Sequence, residues 1–224
     1  MKRGLRTSSA RVAALLLLAA CSHQPTPPDW QSNARLFTDR AAQAYLQGDS
    51  GLESLDFEQA RAQIASTGRI DLLARLELMR CATRVASLVV GPCEGFERFR
   101  PQAGAAERAY ADYLAARVQA KDVDLLPQEQ RPVAEAIVRG ASAAGALGKI
   151  SPPLSSLVAA GVLFQSGGAE PAVIASAIET ASAQGWRRPL LAWLNVQLAR
   201  AQEAGDTGEV GRLQQRIDLV QGTR

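Results

Sequence analysis

The sequence predicts an all-α protein: stacked antiparallel helical hairpins or an irregular helical bundle, with about eight or nine helices and no sheet. Three observations point there. Apolar residues recur at helical spacing in segment after segment, and period-two alternation is nowhere sustained. The composition is rich in alanine, and only 5% of residues are aromatic. Small helix-forming side chains favour helices that pack closely.

The first helix is expected from Trp30 to about Gln47, with Asp29 as its N-cap. Trp30, Ala34, Phe37, Ala41, Ala44 and Tyr45 form one apolar stripe, so Trp30 and Tyr45 are assigned to the core. Gly48-Asp49-Ser50-Gly51 ends this helix. A second is expected to start near Asp56, with Phe57, Ala60 and Ile64 inward, and to stop at Gly68. The third runs from Ile70 to about Leu88 and is broken by Gly91-Pro92. Phe96 to Phe99 makes one short turn, and Ala105 to Val118 is again amphipathic. Pro127 and Pro132 interrupt the stretch from Asp122 to Pro132, and Val133 to Val138 is helical. Gly140 to Gly148 (GASAAGALG) reads as a hinge or loop.

In the second half, Ser151-Pro152-Pro153 is a cap followed by prolines suited to a first turn, and the helix continues to about Phe164. Pro171 to Ala183 follows, then Pro189 to Ala204 with Leu190, Trp193, Leu194 and Leu198. Gly205-Asp206 separates it from a last helix with Val210, Leu213, Ile217 and Val220 inward. The helical domain is therefore residues 29–224, with two lobes, 29–139 and 150–224, joined by the Gly/Ala-rich segment 140–149.

Ala41-x-x-Ala44-Tyr45-x-x-Gly48-Asp49 resembles the end of the first helix of a tetratricopeptide repeat, and Phe57-x-x-Ala60-Arg61 resembles the second helix. Ala201-x-x-Ala204-Gly205-Asp206 with Val210 and Leu213 looks similar. The family's Trp-Leu-Gly start is absent, and Gly68 stands where its closing proline is usual. No period of about 34 residues carries through Pro127–Lys149. The resemblance implies a concave surface for protein partners; a non-repetitive bundle fits the same helices.

The first twenty residues have a different character. Lys2, Arg3, Arg6 and Arg11 precede the apolar run Val12 to Ala20 (VAALLLLAA). That run is about 14 Å long as a helix, too short for a hydrocarbon core of roughly 30 Å. It reads as a secretory signal. Leu18-Ala19-Ala20-Cys21 resembles the lipobox of bacterial lipoproteins. The resemblance implies cleavage before Cys21, acyl chains on that cysteine and a membrane as partner. Ser22, where an Asp would imply retention at the inner membrane, implies the periplasmic face of the outer membrane. His23 to Pro28 (HQPTPP) is a polar, Pro-rich tether, so residues 21–28 link the lipid to the domain.

The charge balance changes once the signal is set aside. Residues 1–20 hold four of the 25 basic side chains and no acidic one, which leaves 21 basic against 22 acidic groups. The pI near 9.0 belongs to the whole chain and is no argument for nucleic acid, which is not an expected partner.

Of the three cysteines, Cys21 is taken by lipid. Cys81 and Cys93 remain as a pair in an oxidising compartment, which suggests a disulfide; two buried free thiols are the alternative. Two cysteines without a nearby histidine make a poor zinc site, and no metal or cofactor is expected.

The single histidine, His23, lies in the tether, which excludes Ser-His-Asp, Cys-His and HExxH chemistry. Gly140, Gly145 and Gly148-Lys149 do not keep phosphate-loop spacing, and Ile150 replaces the required hydroxyl. Glu53, Asp56 and Glu58 cluster at an expected helix start, where acidic residues suit the dipole and cap. Glu97 and Glu135 read as solvated or salt-bridged, and Trp186-Arg187-Arg188 as a first-turn staple or a cation–aromatic surface. No catalytic residue is therefore assigned. The expected function is a membrane-anchored, non-enzymatic scaffold binding an envelope protein. The alternatives are a cell-wall-active enzyme using an acidic residue, or an apolar-ligand carrier hinged at Gly140–Gly148.

Overall fold

The computed structural model describes residues 27–222. The expected signal, Cys21 and His23 lie outside the described residues. The elements in order are α1 (Asp29–Gln47), α2 (Ser50–Ala65), α3 (Ile70–Ala86), α4 (Glu94–Glu97), α5 (Ala105–Leu114) and a 3-10 helix (Ala120–Leu125). They continue with α6 (Arg131–Arg139), α7 (Ala144–Leu147), α8 (Pro153–Gln165), α9 (Pro171–Ala183), α10 (Arg187–Glu203) and α11 (Thr207–Gln221). The described residues contain no strand, as expected. The helix count among the described residues exceeds the expected eight or nine by the short pieces α4, α7 and the 3-10 helix, which are too short to show a period.

Local chemistry explains several boundaries. Gly48 ends α1 in the left-handed region (φ 97°), and Asp49 then caps α2 by accepting a hydrogen bond from the Leu52 N–H at 2.9 Å. The second helix thus starts at Ser50, not near Asp56. Gly205 and Asp206 repeat the device before α11, where Asp206 accepts from the Glu209 N–H. The expected caps at Asp29 and Ser151 are not formed. Pro28 and Pro152 take those cap positions, without a side-chain hydrogen bond. The fifth helix stops at Leu114 and not at Val118, because Ala116 turns into the left-handed region (φ 55°).

The helices close on themselves. Helix α3 packs against α1, α2, α4, α5 and α8; α8 against α9; α9 against α10; and α10 both against α11 and back onto α1. That return contact makes the molecule a closed bundle; in an open stack the two ends would stay apart. One large hydrophobic cluster draws on both halves of the chain, including Leu78, Val85 and Tyr113 from the first and Leu157, Val162 and Trp193 from the second. A smaller cluster, with Phe57, Ala60, Ile64 and Leu76, fills the space among α1, α2 and α3.

The segment expected as a hinge is packed. It forms α7, and Ala143 and Leu147 are buried in the large cluster. Trp30, expected in the core, is only half-buried at the rim of a groove, whereas Tyr45 is buried as expected.

The halves meet most intimately where α3 crosses α8. Val158, Ala159, Ala160 and Gly161 are all buried there. A Cβ on Gly161 would overlap the Val85 carbonyl and stand 2.9 Å from the Val85 Cγ1. Only glycine permits this approach.

Side chains from the second half also satisfy carbonyls in the last turns of helices in the first. Arg188 Nε donates to the Tyr45 carbonyl at 2.7 Å, Trp193 Nε1 to Ala86 at 3.2 Å, and Gln165 Nε2 to Leu114 at 3.0 Å. The Tyr45 carbonyl also accepts from the Gly48 N–H at 3.0 Å, whereas those of Ala86 and Leu114 stand at helix ends, where burying an acceptor unmet is costly.

Two glycine substitutions should move stability in opposite directions. Gly161→Ala should destabilise by about 1–2 kcal/mol, because the clash with Val85 outweighs the gain in helix propensity. Gly211→Ala, in α11 with nothing within 4 Å of the added methyl, should stabilise by up to about 1 kcal/mol. Urea midpoints at unchanged m-value would measure both.

Candidate functional site

Charged side chains on inward positions build the most polar region of the bundle. Glu53 on α2 is only 5% exposed and Asp56 only 2%. Neither is the cap, which is Asp49; Glu53 does lie in the first turn, where an acidic side chain suits the dipole as expected. Glu53 accepts from Arg80 Nε at 2.8 Å and lies 3.7 Å from Arg84, both on α3. Asp56 pairs with Arg40 of α1 at 3.1 Å. Glu58, the third member of the acidic group, stays exposed and faces Arg61 at 3.8 Å.

A third buried carboxylate, Glu77 on α3, accepts from Arg98 at 2.5 Å and lies against Gly95, where a Cβ would collide with it. Each buried acid therefore meets a guanidinium from a neighbouring element. A buried charge is tolerated when it is paired in this way.

The guanidiniums have a second neighbour. Arg80 lies over Phe57 at 4.2 Å, and Arg98 over Phe99 at 4.7 Å. Arg84 and Arg188 lie over the Tyr45 ring at 5.2 and 4.3 Å. Cation–aromatic contact and hydrogen bonding act together, to which a planar guanidinium with five donors is better suited than an ammonium.

The Trp186-Arg187-Arg188 segment is thus an internal clasp. Trp186 is buried and donates to Gln43 Oε1 at 3.1 Å, while Arg188 also donates to Ser50 Oγ at 2.8 Å. The sequence signal that was overlooked lies in α3. Arg80 and Arg84, spaced i and i+4, follow Glu77 along a stripe that also carries core residues.

Cys81 on α3 and Cys93, one residue before α4, form a disulfide with 5.5 Å between their Cα atoms. Closing so short a loop stabilises by about 3 kcal/mol in the chain-entropy account. The bridge borders a groove of about 410 Å³, to which Arg80, Arg84, Val89, Val90, Pro92 and Glu94 contribute. Two more apolar grooves, of about 370 and 270 Å³, flank Met79 on the outer side of α3. The interface between the halves, where a hinged carrier would need its cavity, is filled by α3 and α8.

Glu97 and Glu135 are surface ion-pair partners, as expected. Arg100 donates to Glu97 at 2.7 Å and holds its carboxyl below the usual range, and Glu135 lies 3.4 Å from Arg139. No group of three or more acidic, cysteine or histidine side chains among the described residues is arranged to hold a metal ion.

Burial raises all three phenols of the chain. Tyr110 and Tyr113 are pushed up by desolvation. Tyr45 is raised by the same cause, partly offset by Arg188 and Arg84. Tyr113 donates to Gln130 Oε1 at 2.7 Å, and Gln130 Nε2 passes the connection to the Ser155 carbonyl at 3.0 Å.

Two outcomes follow from this chemistry. Glu53→Ala leaves Arg80 and Arg84 without their shared acceptor, and should destabilise by about 2 kcal/mol after allowance for their partial solvation. Glu53→Gln should cost about half as much, again read from urea unfolding. For the tyrosines, the unfolded state loses its phenolic protons first. Stability should therefore be intact below about pH 10 and fall as pH rises beyond it. Tyrosinate absorbance should appear together with loss of helical circular dichroism, and not before it.

Compared with known proteins, the chain matches no family model, no curated protein and no solved structure.

Proposed function

We propose that this chain is a lipoprotein of the cell envelope, held at the periplasmic face of the outer membrane by lipid on Cys21. Its helical bundle binds another envelope protein and acts as a scaffold without catalysing a reaction. The observation that carries the anchoring is Leu18-Ala19-Ala20-Cys21 directly after a charged and apolar leader. The Cys81–Cys93 disulfide supports the compartment, since such bonds persist where the surroundings are oxidising. The tether, residues 21–28, would span about 25 Å if extended, enough to hold the domain clear of headgroups. Two or more acyl chains make attachment stable, where one is marginal.

The arginine pairing supports the non-enzymatic reading. The carboxylates that an acid-based hydrolase would draw on, Glu53, Asp56 and Glu77, are each engaged by guanidinium groups inside the bundle. They act there as structural partners.

Metabolic labelling with an alkyne analogue of palmitate should mark the wild-type protein and leave Cys21→Ser unlabelled, with the variant shifted out of the membrane fraction. Equal labelling of the two proteins, or none of the wild type, would overturn the anchoring. Crosslinking in cells should trap a protein partner of the anchored form.

A further inference from the structure

We infer that the apolar groove between α1 and α3 shelters part of one acyl chain of lipidated Cys21 when the protein is in water and not in a bilayer. This deepens the anchored reading above and rests on it. The groove, of about 270 Å³, begins at Trp30, the second residue of α1. Trp30, Ala34 and Thr38 line it from α1, and Leu72, Leu76 and Met79 from α3. These positions recur at intervals of three and four residues, so each helix turns one stripe to the groove. Ala34 and Leu76 are buried and form its floor, whereas Met79 at the rim is 40% exposed.

The lining suits an alkyl chain better than a polypeptide. Its charges are cancelled: Arg75 pairs with Glu107 at 2.7 Å, and Arg35 with Asp39 at 4.0 Å. The Thr38 hydroxyl donates to the Ala34 carbonyl of its own helix at 2.7 Å, and Gln31 stands exposed at the margin. The walls are helices, whose amides bond to one another. A peptide laid here would give up the water around its amides and find few partners in return. An alkyl chain has no such groups to satisfy, and the methionine at the rim adapts its shape to it.

Position names the chain. Cys21 stands eight residues before Asp29, where α1 starts, and the groove opens at that end of α1. From Trp30 to Thr38 the groove follows α1 for about 12 Å. Residues 21–28 span about 25 Å when extended, enough to double back and set the lipid over the groove. An acyl chain in water is driven to apolar cover. A bilayer covers every chain along its whole length and the groove only part of one, so insertion into a membrane empties it.

The test uses the full chain from cells fed a palmitate analogue that carries a photoactivatable diazirine. The protein is purified in detergent, moved to detergent-free buffer and illuminated, and its peptides are mapped by mass. Adducts should fall on residues 30–38 and 72–79 within one copy of the chain, and should drop several-fold when phosphatidylcholine vesicles are present. Met79→Glu, at an exposed position, should lower them by about fivefold, because its carboxylate would lose water beneath the alkyl chain. Labelling and helical circular dichroism should not change in that variant, and Met79→Leu should keep the adducts. Adducts scattered over the surface, adducts joining two copies, or groove adducts indifferent to Met79→Glu would each overturn the assignment. A chain labelled on Cys21 that gives no groove adduct removes this inference and leaves the anchoring intact; a chain without label removes both.

Discussion

The bundle depends on the crossing of α3 and α8. Gly161 has no side chain, so α8 lies directly on the Val85 backbone. Helix axes that close bring their flanking residues into reach of one another. Trp193 can then donate to the Ala86 carbonyl, and Gln165 to Leu114. The return of α10 onto α1 adds the bond from Arg188 to Tyr45. Three helix ends, two of which would otherwise leave a carbonyl unmet in the interior, become points where the halves are joined. Each bond is worth only about 1 kcal/mol net, but leaving its acceptor buried and unmet costs more. Small residues at the crossing are thus the condition for polar satisfaction some distance away.

The arginines solve a second problem with the same economy of parts. The interior around α2 and α3 contains three carboxylates, Glu53, Asp56 and Glu77. Their partners reach in from the surface on long apolar stems and keep part of the guanidinium in water. Arg80 and Arg98 also lie over aromatic rings, so packing and charge compensation are supplied by one side chain. Glu53 serves both Arg80 and Arg84 on the side that opens beside the disulfide.

Much of the local structure was legible. Pro171–Ala183 agrees with expectation at both ends, and the Gly-Asp turns at Gly48 and Gly205 end and begin helices as their chemistry requires. The Cys81–Cys93 pair is a disulfide, as expected of the two cysteines left as a pair. The errors have local causes too. Asp49, not Asp56, caps α2, because the glycine before it lets the next helix begin at once. The 140–149 segment looked open from its glycines, yet Ala143 and Leu147 are buried in the large cluster. Glycine and alanine mark freedom and close packing equally well, and only the neighbours distinguish them.

By itself the sequence determined the helical class, most of the helix positions and the cysteine pair. These rest on periodicity, caps and breakers, which act within a few residues of the chain. Tertiary structure alone decided between an open stack and a closed bundle, and between solvated and buried roles for Glu53, Asp56 and Arg188. Those outcomes depend on contacts between residues far apart in the chain, such as Arg188 with Tyr45, 143 residues away. An amphipathic stripe specifies that a face will be buried; it does not specify against which helix.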